Sequence, residues 1–138
     1  MLDEMTKDLY KKGVVKKAWT LAYNSPALLV KKKDSKWRSV INYRRINDVT
    51  IKEPYLIPRM DEVFNVLTKA KLMTTFDFTW RYWQTPLEEG DKKKTAFMTK
   101  SGRWKYNILP MGVTNAAPTF QQNMEAILNR LLWKKCLN

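Results

Sequence analysis

Apolar residues along this chain change their spacing several times, and no all-helical or all-strand fold accommodates every segment. Leu2, Met5 and Leu9 recur at helical spacing over residues 2–12, with Gly13 as the stop. Asn24-Ser25-Pro26 punctuates the chain, after which residues 27–33 read as a strand centred on Leu28, Leu29 and Val30. Asp34-Ser35 is a turn signal, and residues 37–43 resume as a strand with Trp37, Ser39, Ile41 and Tyr43 on one face. The pair predicts a basic β-hairpin. An irregular connection over residues 47–58 carries Pro54 and Pro58; Pro58 then opens a helix running to about Lys69, with Met60, Val63, Phe64 and Leu67 as its stripe. Residues 72–78 read as a strand and residues 80–84 as a short helical turn ending before Pro86. Residues 94–99 and 104–109 predict a second hairpin, joined through Ser101-Gly102. Asn115 is placed to cap a last helix running to about Trp133, with Phe120, Met124, Ile127, Leu128 and Leu131 as its buried face.

Charge narrows the partners. Lys and Arg number 26 against 13 Asp and Glu, a net charge of +13, with a sequence pI near 9.9. So basic a chain most often meets a polyanion, nucleic acid first; a solvated basic surface is the plain alternative. With 44% hydrophobic residues the chain can bury a core, which argues against a disordered tail. Cys136 has no second cysteine to pair with, and histidine is absent. Cys/His zinc sites and Ser-His-Asp or Cys-His catalysis within this chain are thereby excluded. No apolar run approaches the roughly 18 residues of a membrane helix, and no signal peptide opens the chain. An intracellular setting without membrane contact is expected, with nucleus and cytoplasm both open.

Three constellations could carry chemistry. Asp77 lies between Phe76 and Phe78 at the end of an apolar strand, and a buried carboxylate there needs a cation or several hydrogen bonds. A metal ion bridging to phosphate is one solution; a capped or Lys-paired strand end is the other. Between Lys31 and Arg45 stand seven basic residues (Lys31, Lys32, Lys33, Lys36, Arg38, Arg44, Arg45) and one acid, Asp34. Lys meets phosphate as a point charge and Arg can grip it bidentately, with Trp37 and Tyr43 interleaved to stack or pack. The third is the loop Leu-Pro-Met-Gly-Val-Thr-Asn over residues 109–115, where Gly112 permits close backbone approach to a ligand and a plain helix entry fits equally.

Their order is more specific than any one of them. Tyr-Asn-Ser-Pro (23–26), Leu-Val-Lys-Lys-Lys-Asp (29–34) and Lys-Trp-Arg-Ser-Val-Ile-Asn-Tyr-Arg-Arg-Ile-Asn (36–47) come first. Then follow the Pro-rich segment 54–61, Phe-Asp-Phe (76–78), Tyr82 and Gln84, Lys-Thr-Ala-Phe (94–97) and Leu-Pro-Met-Gly-Val-Thr-Asn-Ala-Ala-Pro-Thr-Phe-Gln (109–121). In this succession the chain resembles the reverse transcriptases of gypsy-type LTR retrotransposon Pol polyproteins over nearly its whole length.

The resemblance implies an α+β fold, the partial fingers and palm of a right-hand polymerase. Fingers would occupy roughly residues 20–60 and 85–115 and palm segments roughly 61–84 and 116–138; thumb, connection and RNase H parts are expected to be missing. The implied activity is RNA-directed DNA synthesis from an RNA or DNA template-primer and deoxynucleoside triphosphates, with two Mg²⁺ ions held by three aspartates. By position Asp77 matches the first of these aspartates, with the Phe78 backbone carbonyl as a further metal contact. Lys32 and Arg38 match residues that close on the incoming triphosphate, and Tyr82 the aromatic gate beneath its sugar. Met111 and Gly112 match the loop lining the nucleotide pocket; Arg44 and Asn47 match residues that touch the template.

Several positions depart from the pattern. Arg81 stands where a small residue usually precedes the gate, and could crowd the sugar or add a phosphate contact. Trp83 replaces a usual His, Asn42 a common Asp and Met111 a usual Phe or Gln; Pro118 is displaced by one position. The other two aspartates belong to a Tyr-x-Asp-Asp hairpin after the last helix, whereas here the only acid after Asp91 is Glu125. Expected, then, is a truncated element copy, inactive as a polymerase by itself and dependent on the remainder of a Pol polyprotein. The alternatives are a non-catalytic basic nucleic-acid-binding module and an inert retroelement remnant.

Overall fold

Successive side chains of a strand point to opposite faces, and five strands associate here into a single sheet. The computed structural model describes residues 1–19, 22–55 and 59–137. Strands β1 (Val15–Lys17), β2 (Ser25–Lys31), β3 (Trp37–Ile41), β4 (Phe97–Thr99) and β5 (Gly102–Tyr106) lie in the order β1-β5-β4-β2-β3. Neighbours are antiparallel except β2 and β4, which run parallel through Ser25↔Phe97 and Pro26↔Met98. Pro26 has no N–H to extend that ladder. Beyond it β2 continues against β3, from Ala27↔Ile41 to Lys31↔Trp37, so the basic hairpin leaves the sheet as an arm.

The core gathers Val14, Val15, Ile41, Tyr43, Phe97, Trp104 and Tyr106. Trp104 and Tyr106 face inward from β5, alternating with Arg103 and Lys105. Helix α1 (Leu2–Lys11) packs Leu9 against this cluster. It ends as expected at Gly13, whose φ of +72° suits the left-handed stop. The Gly13 N–H reaches the Tyr10 carbonyl and the Val14 N–H the Leu9 carbonyl, satisfying the last turn. Asp3 at the other end of α1 accepts the Ser101 N–H at 2.8 Å, tying the helix to the β4–β5 turn. Hydrogen bonds from Thr99 and Ser101 hold its carboxyl down at about 2.

Several boundaries differ from expectation, each for a local reason. The second hairpin strand stops at Ile41, because the Asn42 side chain accepts the Arg44 N–H at 3.2 Å and turns the backbone. Helix α2 (Arg44–Val49) follows at once, partly inside the region expected to be irregular. Helix α3 (Met60–Leu67) ends two residues before Lys69, and its predicted start at Pro58 lies outside the described residues. The helical turn expected at residues 80–84 is present as a 3-10 turn, Arg81–Gln84. The hairpin at residues 94–99 and 104–109 is β4 and β5, shortened at its outer ends. A short helix, α4 (Glu89–Lys92), and strand β1 were not foreseen.

Helix α5 (Ala116–Leu128) stops well before Trp133, since the Leu131 carbonyl collects the N–H groups of Lys134, Lys135 and Cys136 into a turn. Of its expected buried face Met124 is buried and Phe120 and Leu128 are half-buried, but Ile127 is 74% and Leu131 45% exposed. The predicted strand 72–78 does not form. Those residues are irregular and exposed, with no neighbouring strand among the described residues to pair their backbone groups. No described helix is long and apolar enough to cross a membrane.

Candidate functional site

The arm carries its charge into solvent. Lys31, Lys32, Lys33, Lys36 and Arg38 are exposed, and none forms an ion pair among the described residues. The tip is closed by the Lys32 N–H to the Lys36 carbonyl at 2.7 Å and by the Lys36 N–H to Asp34 Oδ1 at 3.2 Å. Val30 pairs with Arg38, so period-2 alternation places Lys32 on the same face as Arg38, diagonally across the hairpin. The two expected phosphate-gripping residues thus stand together. Arg44 is exposed in the first turn of α2, at the root of the arm.

At that root Tyr43 is buried to 2% exposure and donates its hydroxyl to the Thr95 carbonyl at 3.1 Å. Burial raises its ionisation well above the ordinary phenol range, and pushes that of Tyr106 up to about 12. Next to it runs the loop of Met111 and Gly112. Gly112 has φ +95°, and its α-carbon faces the Tyr43 ring. Asn47 donates to the Gly112 carbonyl at 2.8 Å and accepts the Thr114 N–H at 2.9 Å. The residue matched to template contact is therefore engaged first in holding the pocket loop.

The surroundings of Tyr82, the expected gate, are built on α5. Tyr82 meets Phe120 edge-on with ring centres 5.8 Å apart, and Phe78 meets the same ring at 6.3 Å. Thr85 is buried behind them and is reached by Asn123 of α5 at 3.4 Å. Arg81 folds over the Tyr82 ring, its guanidinium carbon 4.8 Å from the ring centre, and donates to the Tyr82 hydroxyl at 3.2 Å. The cation thus sits on the residue expected to be the gate. Trp83, in the place of a usual His, stacks on Trp80 at 4.4 Å.

Asp77 corrects the expectation of a buried strand-end acid. It is exposed and makes no hydrogen bond or ion pair among the described residues. Phe78 finds a neighbour in Phe120 but the Asp77 side chain does not, so its carboxylate stays hydrated. No group of three potential metal ligands occurs among the described residues. Asp77 with the Phe78 carbonyl offers one ligand set, and Glu125, the remaining late acid, is on α5 accepting from Gln121 at 3.4 Å. This chain's own carboxylates therefore do not fit a two-ion site.

Three residues that matter to this geometry are not among the site residues expected from the sequence: Phe120, expected in the helix core, Asn115, expected as a helix cap, and Tyr43, expected to stack or pack on the hairpin. For Asn115 and Phe120 the signal lay in the motif of residues 109–121, and for Tyr43 in the motif of residues 36–47; neither motif says what each side chain touches.

The geometry agrees with what the chain is similar to. The family model described as reverse transcriptase (RNA-dependent DNA polymerase) matches residues 30–137. The Pol polyprotein of transposon 297 from Drosophila melanogaster is 38% identical over 141 residues, covering 99% of this chain and 13% of that protein. The Pol polyprotein of transposon gypsy from the same fly is 34% identical over 136 residues, covering 94% and 13%. The chain thus spans about one eighth of the length of these relatives. A foamy viral protease-reverse transcriptase solved with an RNA/DNA hybrid superposes with a TM-score of 0.76 at 24% identity, over 98% of this chain and 18% of that one. The mixed sheet-and-helix architecture is accordingly that of a right-hand polymerase, and the chain belongs to the reverse transcriptase family, among the Pol proteins of gypsy-type retrotransposons.

Proposed function

We propose that the chain supplies the fingers and the first palm segments of an RNA-directed DNA polymerase, and that by itself it binds template-primer without extending it. Fingers correspond to roughly residues 20–60 and 85–115, palm to roughly 61–84 and 116–138. The observation that carries this reading is the arm: five exposed cations, without an ion pair among the described residues, on a hairpin that leaves the sheet. Such a surface gains affinity by releasing counterions from a nucleic acid backbone.

In this reading Lys32 and Arg38 grip the triphosphate of an incoming deoxynucleotide, and the Tyr82 ring lies beneath its sugar. Arg81, held on that ring, brings a cation to the sugar or to its phosphate. Met111 and Gly112 line the pocket. Arg44 contacts the template, as does Asn47 through the amide proton its loop bonds leave over. Magnesium, when bound, neutralises charge building on phosphate. Asp77 and the Phe78 carbonyl would be one corner of its site, and the missing carboxylates must come from outside these 138 residues. The lone Cys136 is free, which fits an intracellular setting.

Anisotropy titration of a labelled RNA/DNA primer-template tests the reading. Binding should weaken steeply with salt, and Arg44→Ala, at the cation assigned to the template, should lower the slope of log K against log salt by about 0.9, one duplex phosphate contact. Salt-independent binding, or none, would overturn it. Primer extension by the purified chain, lost on Asp77→Asn, would overturn the claim that it only binds. The exposed run Leu72, Met73 and Phe76 favours a second reading, a chain that does not fold stably alone; a cooperative urea melt of the monomer would dismiss it.

A further inference from the structure

We propose that Asn47 and Asn115 are a reciprocal pair of positioning residues that fix the loop of residues 111–114 against the root of the basic arm. Asn47, on α2, reaches across to the loop and bonds the Gly112 carbonyl and the Thr114 N–H. Asn115, at the far end of the loop, reaches back the other way. It donates to the Ile51 carbonyl at 2.9 Å and accepts the Glu53 N–H at 3.3 Å. Four side-chain bonds thus cross in opposite directions between residues 47–53 and 112–115.

Asparagine suits both ends, because a carboxamide carries a donor and an acceptor side by side and can bind a carbonyl and an N–H together; Asp lacks the donor. Asn115 also forgoes its ordinary role. It stands at the N-cap of α5 yet makes no side-chain cap bond, where an Asn would usually accept from the first turn. Its amide is diverted to the opposite segment. Because only Asn42 and Tyr43 separate β3 from α2, a displacement of the arm is transmitted through this latch to Met111 and Gly112. That the loop's ligand is a deoxynucleoside triphosphate rests on the proposed function; the latch is tested without it.

The experiment is amide hydrogen exchange, read by NMR on the 138-residue chain. Loss of one net hydrogen bond corresponds to roughly tenfold faster local opening. Asn47→Ala should speed exchange about tenfold at Thr114 and also at Glu53, to which Asn47 makes no bond. Asn115→Ala should do the same at both. The Tyr106 N–H, bonded to Thr95 Oγ1 in the core, should keep its protection. If an alanine variant loses protection at Tyr106 as well, Asn47→Gln and Asn115→Gln, which displace the amide by one methylene, are read for the same crossed pattern. Effects confined to each residue's own partner, or no effect, would overturn the reciprocal latch. Absence of primer-template binding by the unsubstituted chain would sink the proposed function and leave this exchange pattern as it is, so the two failures are distinct.

Discussion

Removing one oxygen atom, by Tyr43→Phe, should cost the fold about 1–2 kcal/mol. The side chain is 2% exposed and its hydroxyl gives the Thr95 carbonyl a hydrogen bond of 3.1 Å. Phenylalanine keeps the ring, so no cavity opens; what is lost is the donor to a carbonyl inside the core. By contrast, Tyr43→Ala adds a cavity and should cost about 3–5 kcal/mol. In urea the midpoint should fall with an unchanged slope, and Tm should drop by ~4–8 °C. Alkaline pH supplies an internal control. Burial raises both Tyr43 and Tyr106 above the ordinary value of 10.0, Tyr106 to about 12. The unfolded chain therefore ionises first: stability from these phenols is intact below pH 10 and declines as pH rises toward the folded values, by about 1.4 kcal/mol per pH unit and phenol. The variant has one such phenol fewer. Its deficit relative to the parent should shrink by ~1.4 kcal/mol near pH 11. A deficit that stays constant between neutral and alkaline pH, or a neutral substitution, would refute the assignment of a buried phenol hydrogen bond.

Two further perturbations probe other parts of the scaffold. Glu89 is exposed and faces three ammonium groups, at 2.8 Å from Lys92, 2.9 Å from Lys16 and 3.5 Å from Lys105. The bonds from Lys92, then Lys16, hold its carboxyl at about 2 instead of 4.5. A depressed folded value means the contribution is present above the unfolded 4.5 and is lost as pH falls toward 2. The gap in urea midpoint between the parent and Glu89→Gln should accordingly be flat above that range and close within it; a gap unchanged at pH 3 counts against the cluster. Gly112→Ala meets nothing nearer than Tyr43 Cδ2 at 3.8 Å, so its penalty is backbone strain at φ +95°, on the order of 1–2 kcal/mol by urea denaturation. Stabilisation by this substitution would show that the loop is not held in that conformation.

What could be read in advance followed the chemistry of turns. Gly13, Asp34-Ser35 and Ser101-Gly102 act within a few residues of themselves, so the elements on either side of them fall close to where the residues predict. Asn42 shows the limit. Its carboxamide could equally have sat in a strand or turned the chain, and the structure uses it to end β3 and start α2. The same ambiguity hid the Asn47–Asn115 latch, whose partners lie 62 to 67 residues apart in the chain. A carboxamide can cap, turn or bridge, and local sequence does not say which carbonyl will come within reach.

Asp77 marks a different boundary between pattern and structure. Residues 72–78 carry the composition of a strand, and the family motif is present, yet the backbone there pairs with nothing among the described residues. A helix satisfies its own N–H and C=O groups, whereas a strand depends on a neighbour to do so. Periodicity reports on one segment and is silent about whether that neighbour belongs to the same stretch of chain. The β2–β3 arm has both of its strands within seventeen residues, Ser25 to Ile41, and forms. The segment at Asp77 has no such local partner, and with its backbone unpaired the carboxylate stays in water, where it has no reason to gather a cation. Supplying the pairing strand is thus the step that would both bury Asp77 and give its charge a task.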